Sequence, residues 1–500
     1  MSGAYNKVRV RRGLYHFLMG KVVSSIAGFG AMVLVVRCLP VVDFAHYSVL
    51  IALVEYLTAF SALGLAHVVI RYVPELYMKG YSHSLRVLLR GATSIRAVVL
   101  LGIALIGYWL SAFIVPWIGM SGAAKAFEAF LVVAVIRSTG HFFSQILEST
   151  LHQGVVQIAF SLASVGRLVG MLYLYHRGDV QLVEIIWVEA MTDAIATTIM
   201  AGAVFFVATR NKAVNEVEGD LGWLSANFKT VSKFAYHGYI QHLAGLPFGS
   251  NTNRLIGGYF LTASAMANFG FALSLYEYLK RYLPAQLLVG LIRPVLIAKY
   301  SVKKDFSVAS SMCENIFIIN IALIGGGVVC MLVAGPNLMH VISGGKYVDD
   351  ATFVFMALLS VLLLETNRLQ LELLVQTVER YEILILSNAM LAASVGLGIL
   401  LVGWLGAAAF PIGNALGLLV ANQRVNRRLR RLGYIYQHDW RVIMRLVALI
   451  VFSVIFGKVM LGIGLAWYVA LAVSIFLYCA AAYLLYGVRI RSFIGGLSVG

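Results

Sequence analysis

Apolar runs long enough to cross a bilayer recur along the whole of this 500-residue chain. A membrane-spanning helix needs about 20 mostly apolar residues, and about fourteen such runs can be marked, at roughly 14–36, 45–68, 97–118, 126–150, 155–175, 182–208, 235–258, 265–290, 312–334, 351–374, 383–403, 408–423, 446–462 and 467–486. Inside lipid each backbone polar group has to be satisfied within its own segment, so runs of this length become helices. Only 12% of the residues are charged while 60% are hydrophobic, whereas in soluble domains about a quarter are charged. The expectation is an all-α polytopic membrane protein.

A net charge of +17 could be the footprint of a nucleic-acid binder, so the positions of the charges decide. Of the 39 Lys and Arg residues, eight fall within the apolar runs and Arg293 just past the end of one. Outside them, only Arg37, Lys125, Arg177 and Lys346 fall on the side opposite the amino terminus. This is the positive-inside bias; it predicts cytoplasmic termini and argues against nucleic acid as a partner. The four cysteines, Cys38, Cys313, Cys330 and Cys479, have no metal-ligand or redox spacing, and neither a metal nor a cofactor is expected. The basic start resembles a signal peptide, but its apolar run is too long and lacks a small-residue cleavage pattern, so it is read as a retained first span.

One stretch occurs twice. Residues 45–57, AHYSVLIALVEYL, align without a gap with residues 267–279, ANFGFALSLYEYL. The same offset pairs Arg71 with Arg293, and a similar one pairs Leu147-Glu148 with Leu371-Glu372. The chain therefore reads as two copies of one membrane unit. Six spans per half preserve the orientation, so the copies should be related by a pseudo-twofold axis along the membrane normal, with a central cavity and alternating access. The expected division is an N-lobe at 1–208, a cytoplasmic linker at 209–230, a C-lobe at 231–424, and a basic loop with a C-terminal helix hairpin at 425–500.

Nine bases lie within expected spans or, for Arg293, just past the end of one: Lys21, Arg137, Arg167, Arg254, Lys280, Arg281, Arg293, Arg368 and Lys458. A charge at the bilayer centre costs about 2.5–3.5 kcal/mol on insertion scales. Lys21 either snorkels to the interface or faces a cavity. Arg137, Arg167 and Glu189 need an internal partner or water, with pairing between helices as one resolution. Glu55 and Glu277, inside the repeated stretch, are candidate ion-coupling carboxylates; permanent pairing is the alternative. Glu277 with Lys280 or Arg281, and Glu365, Arg368 and Glu372, share helical faces at spacings of three and four. Pro247 interrupts the seventh span within Leu246-Pro247-Phe248-Gly249-Ser250-Asn251-Thr252-Asn253-Arg254, where the helix should kink or break. Irregular polar backbone at membrane depth occurs where it lines a cavity, making this segment the strongest pointer to a transport path. Gly325-Gly326-Gly327 suits close helix packing.

Short motifs carry a family resemblance. They are Leu39-Pro40 followed by Asp43-Phe44 and Tyr47-Ser48, then Leu63-Gly64-Leu65 and Arg71-Tyr72-Val73-Pro74-Glu75, with Thr252–Tyr259 and Gly344-Gly345-Lys346-Tyr347 in the second half. Over roughly residues 10–425 the chain resembles the Wzx-like repeat-unit flippases of the multidrug/oligosaccharidyl-lipid/polysaccharide (MOP) exporter superfamily. It departs at His46, where that group usually has Gly, and at Asn253, where an acidic residue is common.

The resemblance implies a non-enzymatic transporter of the bacterial cytoplasmic (inner) membrane. Its cargo would be an undecaprenyl-diphosphate-linked oligosaccharide for O-antigen, capsule or exopolysaccharide export, with membrane lipids, a polysaccharide polymerase and a chain-length regulator as further partners. A diphosphate matches Arg and Lys donors, and Lys21, Arg254, Lys280, Arg281 and Arg293 are the candidate binding residues. The chain has no Walker sequence, so energy would come from an ion or substrate gradient. Two alternatives stand beside it. A cation-coupled drug or metabolite antiporter of the same fold would favour an acidic, aromatic-lined cavity. A membrane polymerase or glycosyltransferase would use an acid such as Asp43, although a turn-forming Asp is far commoner there.

Overall fold

The computed structural model describes residues 7–150, 152–210, 220–286, 300, 305–378, 380, 382–436 and 438–498. Among these the chain is almost entirely α-helical. The helices are α1 (Lys7–Cys38), α2 (Val41–Ala62), α3 (Leu65–Lys79), α4 (Ser82–Trp109), α5 (Ser111–Trp117), α6 (Ala124–Ser149), α7 (Gln153–Arg177), α8 (Leu182–Arg210), α9 (Asp220–Gly245), α10 (Ser250–Phe260), α11 (Ala263–Tyr282), α12 (Phe306–Ser343), α13 (Asp349–Thr377), α14 (Glu382–Leu405), α15 (Ala409–Arg431), α16 (Trp440–Gly462) and α17 (Trp467–Ser498).

Eleven stretches of the described residues are long and apolar enough to cross a membrane, one of which, Glu382–Arg431, covers both α14 and α15. The expected spans at 235–258 and 265–290 are not among them. The first is cut: α9 stops at Gly245, a single 3-10 turn runs over Leu246–Phe248, and α10 begins at Ser250. Pro247 cannot continue the hydrogen-bond ladder, so the helix breaks where the sequence says it should. The second, α11, is described as far as Tyr282.

The chain divides into two compact units, residues 1–263 and 264–500. The boundary lies beyond the expected linker at 209–230 because α9 packs on α3 and α4, and α10 packs on α2. Close backbone approach fixes both ends of this broken helix. At one end Gly64, in the α2–α3 turn, has φ +73°, and a Cβ there would lie 1.9 Å from the Ala235 carbonyl oxygen of α9. At the other, Gly119 has φ +77°, and its Cβ would lie 1.7 Å from the Gly258 carbonyl oxygen of α10. Both positions require the left-handed backbone and also exclude a side chain.

Within the first unit α1 packs along α7, and α6 along α8. The start of α9 also holds the start of α4. The Asp220 carboxylate accepts hydrogen bonds from the backbone nitrogens of His83 and Ser84, each at 2.8 Å, and Ser84 Oγ donates to the Asp220 carbonyl. These satisfy first-turn amides of α4 that have no partner within the helix. Burial works against ionisation of Asp220, but the two backbone donors outweigh it and hold the carboxyl below its ordinary range.

In the second unit the C-terminal hairpin is not a loose appendage. α16 and α17 pack on each other and on α12, and Tyr478 Oη donates to the Ala322 carbonyl at 2.7 Å. A Cβ on Gly325 would lie 2.3 Å from Tyr478 Oη, so the glycine triplet of α12 permits the close helix packing expected of it. Glu314 of α12 accepts from Asp439 N and bonds His438 Nδ1, both at 2.9 Å, pinning the loop before α16.

Candidate functional site

The repeated stretch and the broken helix come together. In α2, Glu55 is exposed and accepts a hydrogen bond from Asn251 Nδ2 of α10. The other end of the same amide, Asn251 Oδ1, accepts from Arg254 Nη1 at 3.4 Å. Asn251 therefore stands between a carboxylate and a guanidinium, and Arg254 is only 4% exposed. Next to it, Thr252 Oγ1 donates to the Leu246 carbonyl at 2.7 Å, which also accepts from Gly249 N in the turn at the break. Since that uses the threonine proton, Tyr56 Oη is the donor in its 2.5 Å contact with Thr252 Oγ1. Glu55-Tyr56 of the repeat thus clasps Asn251-Thr252 of the interrupted helix.

Beside the clasp lies a cavity of about 610 Å³, whose lining includes Tyr56, Phe60, Trp117, Thr252, Tyr259 and Phe260. It is within the usual range for small-molecule sites and, like them, largely apolar with a few polar groups.

Deeper in the same unit, four charges from three helices close on one another. Arg137 of α6 reaches Glu189 at 2.8 Å and Asp193 at 2.7 Å, both on α8. Arg167 of α7 reaches Asp193 at 2.8 Å and Glu189 at 4.0 Å. Tyr47 Oη of α2 donates to Glu189 Oε1 at 2.5 Å. Two bases face two acids, so the network is neutral as a whole. This resolves Arg137, Arg167 and Glu189 as partners of one another instead of ligands for an anion. Lys21 of α1 is half-buried and interacts electrostatically with Glu148 of α6.

In the second unit Glu365 of α13 holds two groups of α11. Lys280 Nζ lies 2.7 Å from Glu365 Oε2, and Tyr276 Oη donates to the same oxygen at 2.6 Å. The Lys280 ammonium also lies 5.6 Å from the Tyr276 ring centre, and the exposed Arg281 guanidinium 5.6 Å from that of Tyr278. Glu277 shares the helix and is half-buried. Arg368 pairs with Glu372 at 2.7 Å, as the spacing suggests, and also donates to Ser387 Oγ and Asn388 Oδ1 on α14. Arg293 lies outside the described residues.

Of the sequence-derived residues, then, Glu55 and Arg254 share one cluster in the first unit, Lys21 belongs to its α1–α6 region, and Lys280, Arg281 and Glu277 lie on α11 of the second. Arg96 was not among them. By apolarity alone Arg96 flanks, on the cytoplasmic side, a span starting near 97, but α4 starts at Ser82. Arg96 is therefore about four turns inside the helix and is 4% exposed. The unbroken run of helix-compatible residues from Ser82 was the available signal.

No protein-family model and no curated protein sequence matches the chain. Solved structures do. A lipid II flippase, MurJ, in an inward closed conformation superposes with a TM-score of 0.64 at 10% identity, covering 95% of this chain and 99% of that one. An inward-facing multidrug resistance MATE family transporter of the MOP superfamily gives 0.60 at 14% identity, covering 85% and 95%. At such low identity the likeness is one of fold: the chain has the fold of the MOP superfamily.

Proposed function

We propose that this MOP-fold chain is a flippase, moving an undecaprenyl-diphosphate-linked oligosaccharide from the cytoplasmic to the outer leaflet of a bacterial inner membrane by alternating access. The broken helix α9–α10 supports this reading: it brings the buried Arg254 beside Asn251, Glu55 and Tyr56. A guanidinium is a strong, geometrically specific partner for phosphoryl oxygens. Arg254 and Lys21 in the first unit, with Lys280, Arg281 and Arg293, are the proposed diphosphate-binding cations. Glu55 and Glu277 are the proposed coupling carboxylates. The moving parts would be two lobes, the first extended from 1–208 to take in α9 and α10, which pack on it, and the second drawn from the remainder of 231–424, with a polymerase and a chain-length regulator acting on the delivered unit.

The test is a gene deletion in the host, followed by identification of the lipid-linked sugars and the membrane face on which they collect. Completed units accumulating on the cytoplasmic face, rescued by the wild-type gene but not by Arg254→Ala or Lys280→Ala, are the expected result. Units that reach the outer face unpolymerised would refute the reading.

A second reading, a cation-coupled drug or metabolite antiporter, is favoured by the aromatic cavity beside Glu55, which suits an apolar organic cation. Unchanged lipid-linked sugars in the deletion strain, together with increased sensitivity to organic cations, would establish it instead.

A further inference from the structure

Arg96 is held unlike Arg137 and Arg167 of the same unit, which face carboxylates. Its contacts to acceptors are long, 3.4 Å from Nη2 to the Ser138 carbonyl and 3.3 Å to Ser138 Oγ, against 2.7–2.8 Å for the carboxylate contacts of Arg137. Charge-assisted hydrogen bonds are normally about 2.7–2.9 Å. Its Nε is buried without an acceptor. One flat face is covered by the Phe142 ring, 4.8 Å away. Among the described residues no carboxylate lies within ion-pair distance of it. A guanidinium at 4% exposure with no counter-charge is costly in a membrane protein, and such residues pair or face a water-filled space.

The space is there. Arg96 lines a cavity of about 220 Å³ bounded by α2, α3, α4, α6 and α9. Its other polar groups are Thr58, His67, His141, Gln145, Tyr239 and His242, and none of the lining residues is acidic. His67 Nδ1 and Gln145 Oε1 are also buried without partners. The rings of His67 and His242 lie 6.5 Å apart. His67 is held over Gly238, where a Cβ would come within 2.8 Å of the imidazole. Ser138 Oγ donates onward to Thr58 Oγ1 at 2.8 Å, so the residue that touches Arg96 is itself fixed.

We infer that this cavity is a binding site for a phosphate-class oxyanion, seated on Arg96 with imidazole N–H groups as further donors. Its volume lies below the usual range of drug-sized sites, so it accepts a small anion or the headgroup of a larger molecule. The inference does not require the cargo to be an oligosaccharide, and it concerns residues other than Glu55 and Arg254.

The experiment is titration of the purified full-length protein, in detergent and chloride-free buffer, with inorganic pyrophosphate and separately with farnesyl diphosphate, read by calorimetry. Saturable binding that falls at least tenfold in Arg96→Gln and is restored in part by Arg96→Lys is expected. Equal affinity for the two probes assigns a free-anion site, and at least tenfold tighter binding of farnesyl diphosphate assigns a lipid headgroup. Should Arg96→Gln fail to fold, Gln145→Glu decides: it keeps the arginine and installs a resident carboxylate in the cavity, and binding should fall by the same factor. Wild type that binds neither probe, or a folded Arg96→Gln that binds as wild type does, overturns the proposal. In the absence of a folded Arg96→Gln, a Gln145→Glu variant with wild-type binding does so too.

Discussion

Replacing Glu189 with Gln should destabilise the first unit severely, for a reason that can be checked separately from shape. Glu189 is 2% exposed, and its two oxygens serve Arg137 and Tyr47. The amide keeps the volume but removes one of two negative charges, leaving Arg137 and Arg167 facing Asp193 alone. Breaking a buried ion network by deleting one partner costs about 3–5 kcal/mol. For a domain of 150–250 residues each kcal/mol shifts the melting temperature by about 2–4 °C, so the expected drop is about 6–20 °C. The assay is thermal unfolding of the detergent-solubilised protein at a fixed scan rate, since unfolding of such proteins is commonly irreversible. Charge balance is then restored by adding Arg167→Gln, which leaves Arg137 and Asp193 one to one. The double variant should be more stable than Glu189→Gln alone, with a coupling of about 1 kcal/mol or more. If Glu189→Gln melts within about 2 °C of wild type, or if the second substitution brings no recovery, the four charges are solvated independently and the closed-network reading is wrong.

Three further outcomes follow from the packing. Gly119→Ala and Gly122→Ala both place a side chain at positive φ, at a cost of about 1–2 kcal/mol. Only the first meets a backbone oxygen, at 1.7 Å, so Gly119→Ala should lower the melting temperature well beyond Gly122→Ala; equal effects would remove the α10 contact from the account. Asp220→Asn should cost about 1–3 kcal/mol at pH 7. Because the folded carboxyl sits below its ordinary value, its contribution is complete above about pH 4 and disappears as the pH falls through the folded value. The melting difference between Asp220→Asn and wild type should therefore shrink at pH 3, and an undiminished difference there would contradict the role of the ionised carboxylate. Gly325→Leu, with no room beside Tyr478, should loosen the hairpin from α12 and increase proteolysis between 432 and 440; an unchanged digestion pattern would show that the hairpin docks elsewhere.

Much of this architecture could be read from the chain because membrane helices declare themselves by length and apolarity alone. The cut at Pro247 was equally legible, since it follows from one missing amide and one ring clash. Which charges meet was not. Arg137, Arg167 and Glu189 each announced the need for a partner, but their partners sit on different helices, and no spacing rule connects residues across helix pairs. Lys280 illustrates the limit: a neighbour on its own helix, Glu277, is what periodicity offers, while Glu365 is what packing supplies. Arg96 was hidden by an error of boundary, because a basic residue beside an apolar run looks like an anchor until the helix is seen to start well before it. Helix α3 was missed for a related reason, being amphipathic and short of the length a span requires.

The docking of α9 and α10 also bears on how the chain is made. A segment carrying Asn251, Asn253 and Arg254 across the bilayer is a poor candidate for release into lipid by itself, since each such group is costly without a partner. The groups that receive this segment, Glu55 at Asn251, Tyr56 at Thr252 and the backbone at Gly64 and Gly119, all belong to parts of the chain synthesised earlier. The ribosome thus delivers the least insertable span after the surface that receives it has been laid down, and the order of the sequence becomes part of what makes the broken helix possible.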